Sequence, residues 1–283
     1  QGLLDDIDSN FIIRFMSVMD AAGYCDNSEV ILWRNIIELK KFLGARFQLT
    51  AETSIYAKKI SKNVGLYVEV TPIPVVGRLN FSLQQYKKIG VDPYVLKLGC
   101  LGGARRDKGY FELLEIADQL HQSFGFSVRL YVQLMGPQSD DYDPVYDSKL
   151  HNHPCIELLP SSLTEEFLFQ TISSCQALLL PYWPQSYAMR GSGMYFDAIS
   201  AEIPVIAQRG CGFAGDIELG GCGFVYSDAA ELLEIVATGL RDMGRADAPP
   251  WGQARINART HAHALNEALV RIVDSTSTNI EQN

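Results

Sequence analysis

The sequence predicts an α/β protein whose parallel sheet carries helices on both faces, and three observations lead there. Apolar runs of strand length alternate with helix-like stretches along almost the whole chain. Glycine-containing turns follow several of these runs, notably at Gly102 and Gly103 after Cys100. The composition, 47% hydrophobic and 20% charged over 283 residues, is that of an ordinary globular protein with one large domain or two modest ones.

Taken in order, Phe11 to Met19 reads as a strand, followed by a loop through Gly23 and Asn27. Glu29 to Phe42 has helical spacing, with Ile31, Ile36, Ile37 and Leu39 among its apolar positions. Arg46 to Leu49 is a short strand, and Thr50 can cap a helix reaching about Ser61. Tyr67 to Val70 is another strand, stopped by Pro72 and Pro74. A domain junction is therefore expected between there and Pro93, dividing the chain into 1–76, 77–253 and a C-terminal helix and tail, 254–283. In the second region strands are expected at Val95 to Cys100, Val128 to Leu134, Cys155 to Leu159, Ala177 to Tyr182, Pro204 to Ala207 and Gly223 to Tyr226. Helices are expected at Lys108 to Phe124, Leu163 to Ser174, Ser192 to Ala201, Ala229 to Met243 and Ala254 to Val273, with a polar, Asp-rich loop at Pro137 to Pro154.

Charge and composition narrow the functions. A net charge of −9 argues against nucleic acid or an anionic membrane as main partner, because both need a basic footprint. An anionic small molecule needs only a local patch. No apolar run nears the roughly 20 residues that span a bilayer, and Gln1 to Asp6 carries no basic or apolar leader pattern. The six cysteines form no C-x-x-C pair and lie mostly in apolar stretches, so a reducing, cytoplasmic protein without structural zinc is expected.

In an open parallel sheet, ligands bind beyond the carboxyl ends of the strands, which selects three loops. Leu101 to Gly109 combines Gly102 and Gly103 with Arg105, Arg106 and Lys108, three cations within four residues that can neutralise a diphosphate before a helix start. The plainer reading is a solvated basic turn, since neither the Walker pattern nor G-x-G-x-x-G is present. Tyr187 to Gly193 precedes another helix start, where Arg190, Gly191, Ser192 and Gly193 make a second anion site and Asp197 can accept ribose hydroxyls. Its plainer reading is a flexible loop with Ser192 as an ordinary cap. Arg209 to Phe213, including Cys211 and Gly212, could bring backbone to the same ligand or merely form a loop. His261 and His263 point apart on a helix, and Asp140, Asp141, Asp143 and Asp147 read as a solvated loop, so no metal is expected.

With these loops located, the stretch from about Arg46 to Val273 resembles the GT-B glycosyltransferases, specifically the large retaining family 4. Leu98 to Gly109 looks like that family's glycine turn ending in Lys-Gly, whose Arg and Lys hold the donor diphosphate. Ile156 to Pro160 followed by Leu163 to Phe167 is similar to the strand and helix beside the nucleobase, which puts Leu159 and Pro160 there. Leu180-Pro181-Tyr182, Arg190-x-Ser192-Gly193, Asp197-Ala198 and Pro204-Val205-Ile206 together look like the donor-binding stretch.

The resemblance implies a Rossmann-like donor domain plus a partial second one. It also implies transfer from a nucleoside-diphosphate sugar to a carbohydrate or glycolipid acceptor in polysaccharide or glycoconjugate synthesis, with retention and at most transient membrane contact. Lys108 and Arg105 become the catalytic cations, with Arg106, Gly102, Gly103 and Arg190 to Gly193 on the diphosphate and Asp197 on the ribose. Tyr187, Met189, Cys211 and Gly212 fall beside the sugar, and Thr50-Ala51-Glu52 resembles the segment facing the cleft, with Glu52 on the acceptor side. Two departures stand out. The family's first carboxylate, which touches the transferred sugar, aligns with Met189, leaving Arg190 or Tyr187 to substitute. The part before Pro74 looks like only the latter half of an acceptor domain, so a fragment, a truncated form or a natural abbreviation is expected. A nucleotide-sugar-binding module or inactive partner subunit is the rival expectation; a sugar-nucleotide epimerase, the third reading, needs extra carboxylates and a His in the cleft that this sequence does not place there.

Overall fold

The structure is a computed structural model and describes residues 11–15, 27–44, 47–71, 94–243 and 250–277. Among them two parallel sheets form. The smaller has order β1-β2-β3, from β1 (Phe11–Phe15), β2 (Phe47–Ala51) and β3 (Glu69–Val70), joined by α1 (Asn27–Leu43) and α2 (Ser54–Val64). Trp33, Ile36, Phe47, Leu49, Ile60 and Val64 pack together between these helices and the sheet. Thr50 does not cap α2, as its sequence position suggests. It lies within β2, paired with Arg14 and Glu69, and Thr53 caps instead, its hydroxyl accepting from Tyr56 N. The expected strand beyond Phe15, Arg46 and the proposed junction from Pro72 to Pro93 fall outside the described residues.

The larger sheet contains β4 (Leu96–Cys100), β5 (Val128–Gln133), β6 (Ile156–Leu159), β7 (Ala177–Leu180), β8 (Val205–Gln208) and β9 (Gly223–Tyr226). Its order is β6-β5-β4-β7-β8-β9, all parallel, so the chain first steps one way from β4 and then returns to build outward from β4 again. The order reverses between β4 and β7. Both faces are covered, and β7 shows why its sequence is an unbroken apolar run. Ala177 and Leu179 join one core with Leu98, Leu130 and Val236, while Leu178 and Leu180 join the other with Ile199, Val205 and Ile217.

The covering helices are α3 (Leu113–Phe124), α4 (Pro144–His151), α5 (Glu165–Ser174), α6 (Pro184–Tyr187), α7 (Gly193–Ser200), α8 (Ala214–Gly220), α9 (Ala229–Asp242) and α10 (Trp251–Ser277). Four differ from expectation. α6 and α8 are short helices where the sequence suggests no regular element, and the Asp-rich loop contains α4. There Asp143 caps the helix start by accepting from Val145 N and Tyr146 N, while buried Asp147 accepts from the Tyr110 hydroxyl at 2.7 Å. The acidic residues of this segment are thus partly structural rather than simply solvated. The helix expected from Lys108 begins only at Leu113, because Gly109 is left-handed at φ 74° between two 3-10 turns.

Gly109 is required at that point. A Cβ there would lie 2.0 Å from the Pro181 carbonyl oxygen, which is backbone of the neighbouring crossover and cannot step aside. Gly103 has a similar φ of 70° but open space around it. Gly103→Ala should therefore cost about 1 kcal/mol, the left-handed penalty alone. Gly109→Ala should cost clearly more, about 3 kcal/mol, because a backbone clash adds to the strain. Urea denaturation of both variants measures the difference, and equal losses would contradict it.

Candidate functional site

The reversal of strand order places the loops after β4 and β7 side by side, at the crevice where open α/β sheets bind ligands. Residues 101–109 and 181–193 form it. Arg105 leads into the first turn, and its guanidinium makes two bonds to Asp107, Nε to Oδ1 at 2.9 Å and Nη2 to Oδ2 at 3.2 Å. The same Nη2 donates to the Tyr187 hydroxyl at 2.8 Å, across the crevice. Arg190 reaches Asp107 from the other side, Nη1 to Oδ2 at 3.5 Å, while its guanidinium lies over the Tyr187 ring, 4.5 Å from the centroid. One carboxylate thus sits between two arginines.

Lys108 completes the cluster. Its Nζ donates to the Gly102 carbonyl and stands 5.7 Å from the centre of the Tyr182 ring. Burial, with Arg105 and Arg190 nearby, pushes its ammonium down from 10.5 to about 8, and Asp107 only partly opposes this. Three cations and one carboxylate leave a local excess of two positive charges at neutral pH, in a protein whose net charge is −9. Burial also raises the phenols of Tyr182 and Tyr187, keeping them neutral.

Of the residues singled out in the sequence, Arg105, Lys108, Tyr187 and Arg190 come together here. Arg106 turns away, with its Nε 3.2 Å from Asp141 and its guanidinium over the Phe111 ring. Gly102 and Gly103 shape the turn, but their N–H groups both donate to Gln133 Oε1, at 2.8 and 3.1 Å. Gln133 ends β5 and donates from Nε2 to the Ser161 carbonyl, so it links the glycine turn to the loop after β6. Ser192 caps α7 by accepting from Tyr195 N at 3.3 Å, and Gly193, the first residue of that helix, is exposed. Asp197 is buried on α7.

Gly212 donates from its N–H to the Tyr187 carbonyl at 2.6 Å, and its missing Cβ leaves room for the Met189 and Arg190 backbone. Cys211 is buried behind it, its thiol raised to about 12 by desolvation, and therefore inert packing. Leu159 is buried with its carbonyl accepting from Leu134 N, while Pro160 is exposed. Beside them a cavity of about 400 Å³ is lined by Leu134, Met135, Pro137, Tyr142, Asp147 and Ser161. Glu52 is buried at the end of β2, its Oε2 accepting from Gly191 N at 3.0 Å.

Two contributors were not anticipated. Asp107 sits in a basic run, where its spacing from Arg105 could have marked it as their partner. Gln133 is a polar residue at the carboxyl end of an apolar strand, a position that itself signals a role at the crevice. Among the described residues no cluster of three His, Cys, Asp or Glu could hold a metal ion, and no helix is long and apolar enough to cross a membrane.

No protein-family model and no curated protein sequence matches the chain. Solved structures do. A glycosyltransferase from Rickettsia africae has a TM-score of 0.66 at 11% identity, over 96% of this chain and 71% of that one. WaaG, a glycosyltransferase involved in lipopolysaccharide biosynthesis, has 0.53 at 18% identity, over 96% and 80%. HepE from Anabaena, solved in complex with UDP-glucose, has 0.58 at 15% identity, over 94% and 72%. These likenesses, with the parallel six-stranded sheet and its helices, show that the chain has the α/β fold of the GT-B glycosyltransferases.

Proposed function

We propose that this chain is a retaining, family 4-like glycosyltransferase that binds a nucleoside-diphosphate sugar at the crevice between β4 and β7 and transfers its sugar to an acceptor hydroxyl. The observation that carries this is the convergence of Arg105 and Arg190 on the Asp107 carboxylate, with the Lys108 ammonium beside them, at the reversal of strand order. Such an excess of positive charge, partly desolvated, suits a dianionic diphosphate. HepE, of the same fold, was solved with UDP-glucose, which supports a nucleotide sugar as ligand. The cavity beside Ser161 suits a nucleobase, and Asp197 is assigned to the ribose.

In this mechanism the diphosphate leaves as the anomeric carbon takes on positive charge. Lys108 and Arg105 offset the charge growing on the phosphate, and the N-terminus of α7 adds its partial positive charge. Nothing in the step requires a metal, because fixed cations and amides carry the charge. A binding module without transfer activity is the second reading, and Met189, at the position of the family's first carboxylate, favours it.

Calorimetry with UDP, GDP and ADP, followed by a donor-hydrolysis assay, separates the two readings; tight binding without turnover selects the module, and no binding overturns both. Lys108→Ala should lower turnover roughly 100-fold, the scale of one preorganised electrostatic donor. Unchanged turnover would remove it from the mechanism.

The pH dependence follows from Lys108. Above about pH 8 the free protein loses the Lys108 proton, which the diphosphate needs, so affinity should fall as pH rises through about 8. The stability effect has the opposite sign. The folded-state value lies below the ordinary 10.5, so the unfolded chain binds this proton more tightly, and stability rises between pH 8 and 10.5. Because Asp107 raises the Lys108 value, Asp107→Asn should move the binding midpoint below pH 8. Titrations across pH 6 to 10, on the order of two pH units either side of that midpoint, read both. A midpoint indifferent to Asp107→Asn would show that the two charges are not coupled.

A further inference from the structure

Three consecutive residues at the end of β2 reach from the smaller sheet to the larger one. Glu52 Oε2 accepts from Gly191 N at 3.0 Å, Thr53 Oγ1 donates to the Met189 carbonyl at 3.0 Å, and Ser54 N donates to Asp216 Oδ2 at 3.4 Å. The first two bonds hold the peptide groups on either side of Arg190. Glu52 is buried, 4% exposed, and closes so tightly over Gly191 that a Cβ there would lie 2.8 Å from its Oε2. Gly212 also holds this loop, through its bond to the Tyr187 carbonyl. Arg190 therefore projects from a loop gripped from two segments, one of which belongs to the other sheet.

We infer that Glu52 and Thr53 are positioning residues for Arg190, fixing its guanidinium at the anion site through the backbone of residues 189–191. The inference deepens the nucleotide-sugar reading and rests on it. A long cationic side chain is useful to a diphosphate only if its backbone is fixed, since ordering an arginine on binding costs affinity. A hydrogen bond to a buried, fixed acceptor supplies that order, and leaving the Gly191 N–H without it should weaken nucleoside-diphosphate binding about tenfold. The carboxylate serves as an acceptor for Gly191 N–H rather than as a charge for the ligand, whose phosphates it would repel. An uncharged acceptor of the same shape should therefore suffice. The consequence is that the donor site is completed only while the end of β2 is docked on it, so nucleotide affinity reports the position of the smaller sheet.

The test uses the whole chain, with UDP, GDP and ADP as probes. Thermal unfolding first establishes that each variant is folded. Glu52→Ala should weaken binding about tenfold, and Glu52→Gln, which keeps an acceptor, should recover most of the loss. In an Arg190→Ala background, Glu52→Ala should add nothing, because it acts through Arg190. Equal losses in both backgrounds, or a Gln variant as weak as the Ala variant, would overturn the inference. Amide hydrogen exchange over residues 187–193, without nucleotide, supplies an independent reading. Exchange should rise in Glu52→Ala and return in Glu52→Gln; unchanged exchange in Glu52→Ala overturns the positioning role. If the native chain binds none of the three probes while exchange responds as expected, the nucleotide reading fails and the grip on the loop stands.

Discussion

Everything at the crevice depends on Asp107, which joins the two crossovers that the reversal of strand order brings together. Its carbonyl accepts from Trp183 N, its carboxylate takes both Arg105 and Arg190, and two residues later Gly109 abuts the Pro181 carbonyl. The ion pairs themselves add little to stability. Arg105 is half exposed, and pairs of that kind contribute about 0–1 kcal/mol. Their effect is geometric, because without Asp107 two guanidinium groups and an ammonium would repel one another and spread into solvent. The carboxylate keeps three cations close while cancelling only one of them.

That residual charge explains why Lys108 is the sensitive member. Arginine stays charged under almost any burial, whereas an ammonium on a flexible stem yields when desolvated beside like charges. Lys108 is the group pushed down to about 8, with burial as the largest cause and its two arginine neighbours adding to it. A dianion entering the crevice would reverse both neighbour effects, so ligand and proton favour each other there. The two loops need only lie side by side, and the strand order β5-β4-β7-β8 ensures that.

The larger sheet was legible because its strands are buried on both faces and read as continuous apolar runs, so Ala177 to Leu180 could hardly be anything else. Helices with little burial were not legible. α4 buries only Asp147 and Leu150, which leaves no apolar stripe in the sequence, and α8 is a seven-residue helix ending in glycine. Thr50 and Thr53 are equally good caps by type, and strand pairing with β1 and β3 decided between them. At the crevice, Lys108, Arg105 and Arg190 could be found because cations near glycine turns at strand ends suggest anion binding. Direction was not legible. Arg106 is as basic as Arg105, yet the side of the turn it occupies sends it to Asp141 and Phe111. The bonds that Glu52 and Thr53 make span more than 130 positions, and no local pattern encodes a contact of that range.

Met189 illustrates how that distance changes the meaning of a substitution. Judged by side chain, methionine at this position loses a carboxylate and with it a contact to the transferred sugar in the proposed mechanism. The structure uses a different part of the residue, because Thr53 bonds the Met189 carbonyl, which every amino acid provides. The grip on Arg190 is therefore independent of what side chain stands at 189. A carboxylate next to Arg190 would also cancel part of the positive charge that Asp107 leaves uncompensated. With methionine there, Arg105, Lys108 and Arg190 remain in excess over Asp107. In the proposed mechanism anion binding and sugar recognition thus make separable demands on one short loop, the first to be met by backbone and cations and the second by a side chain. A change at 189 can weaken the second while leaving the first intact.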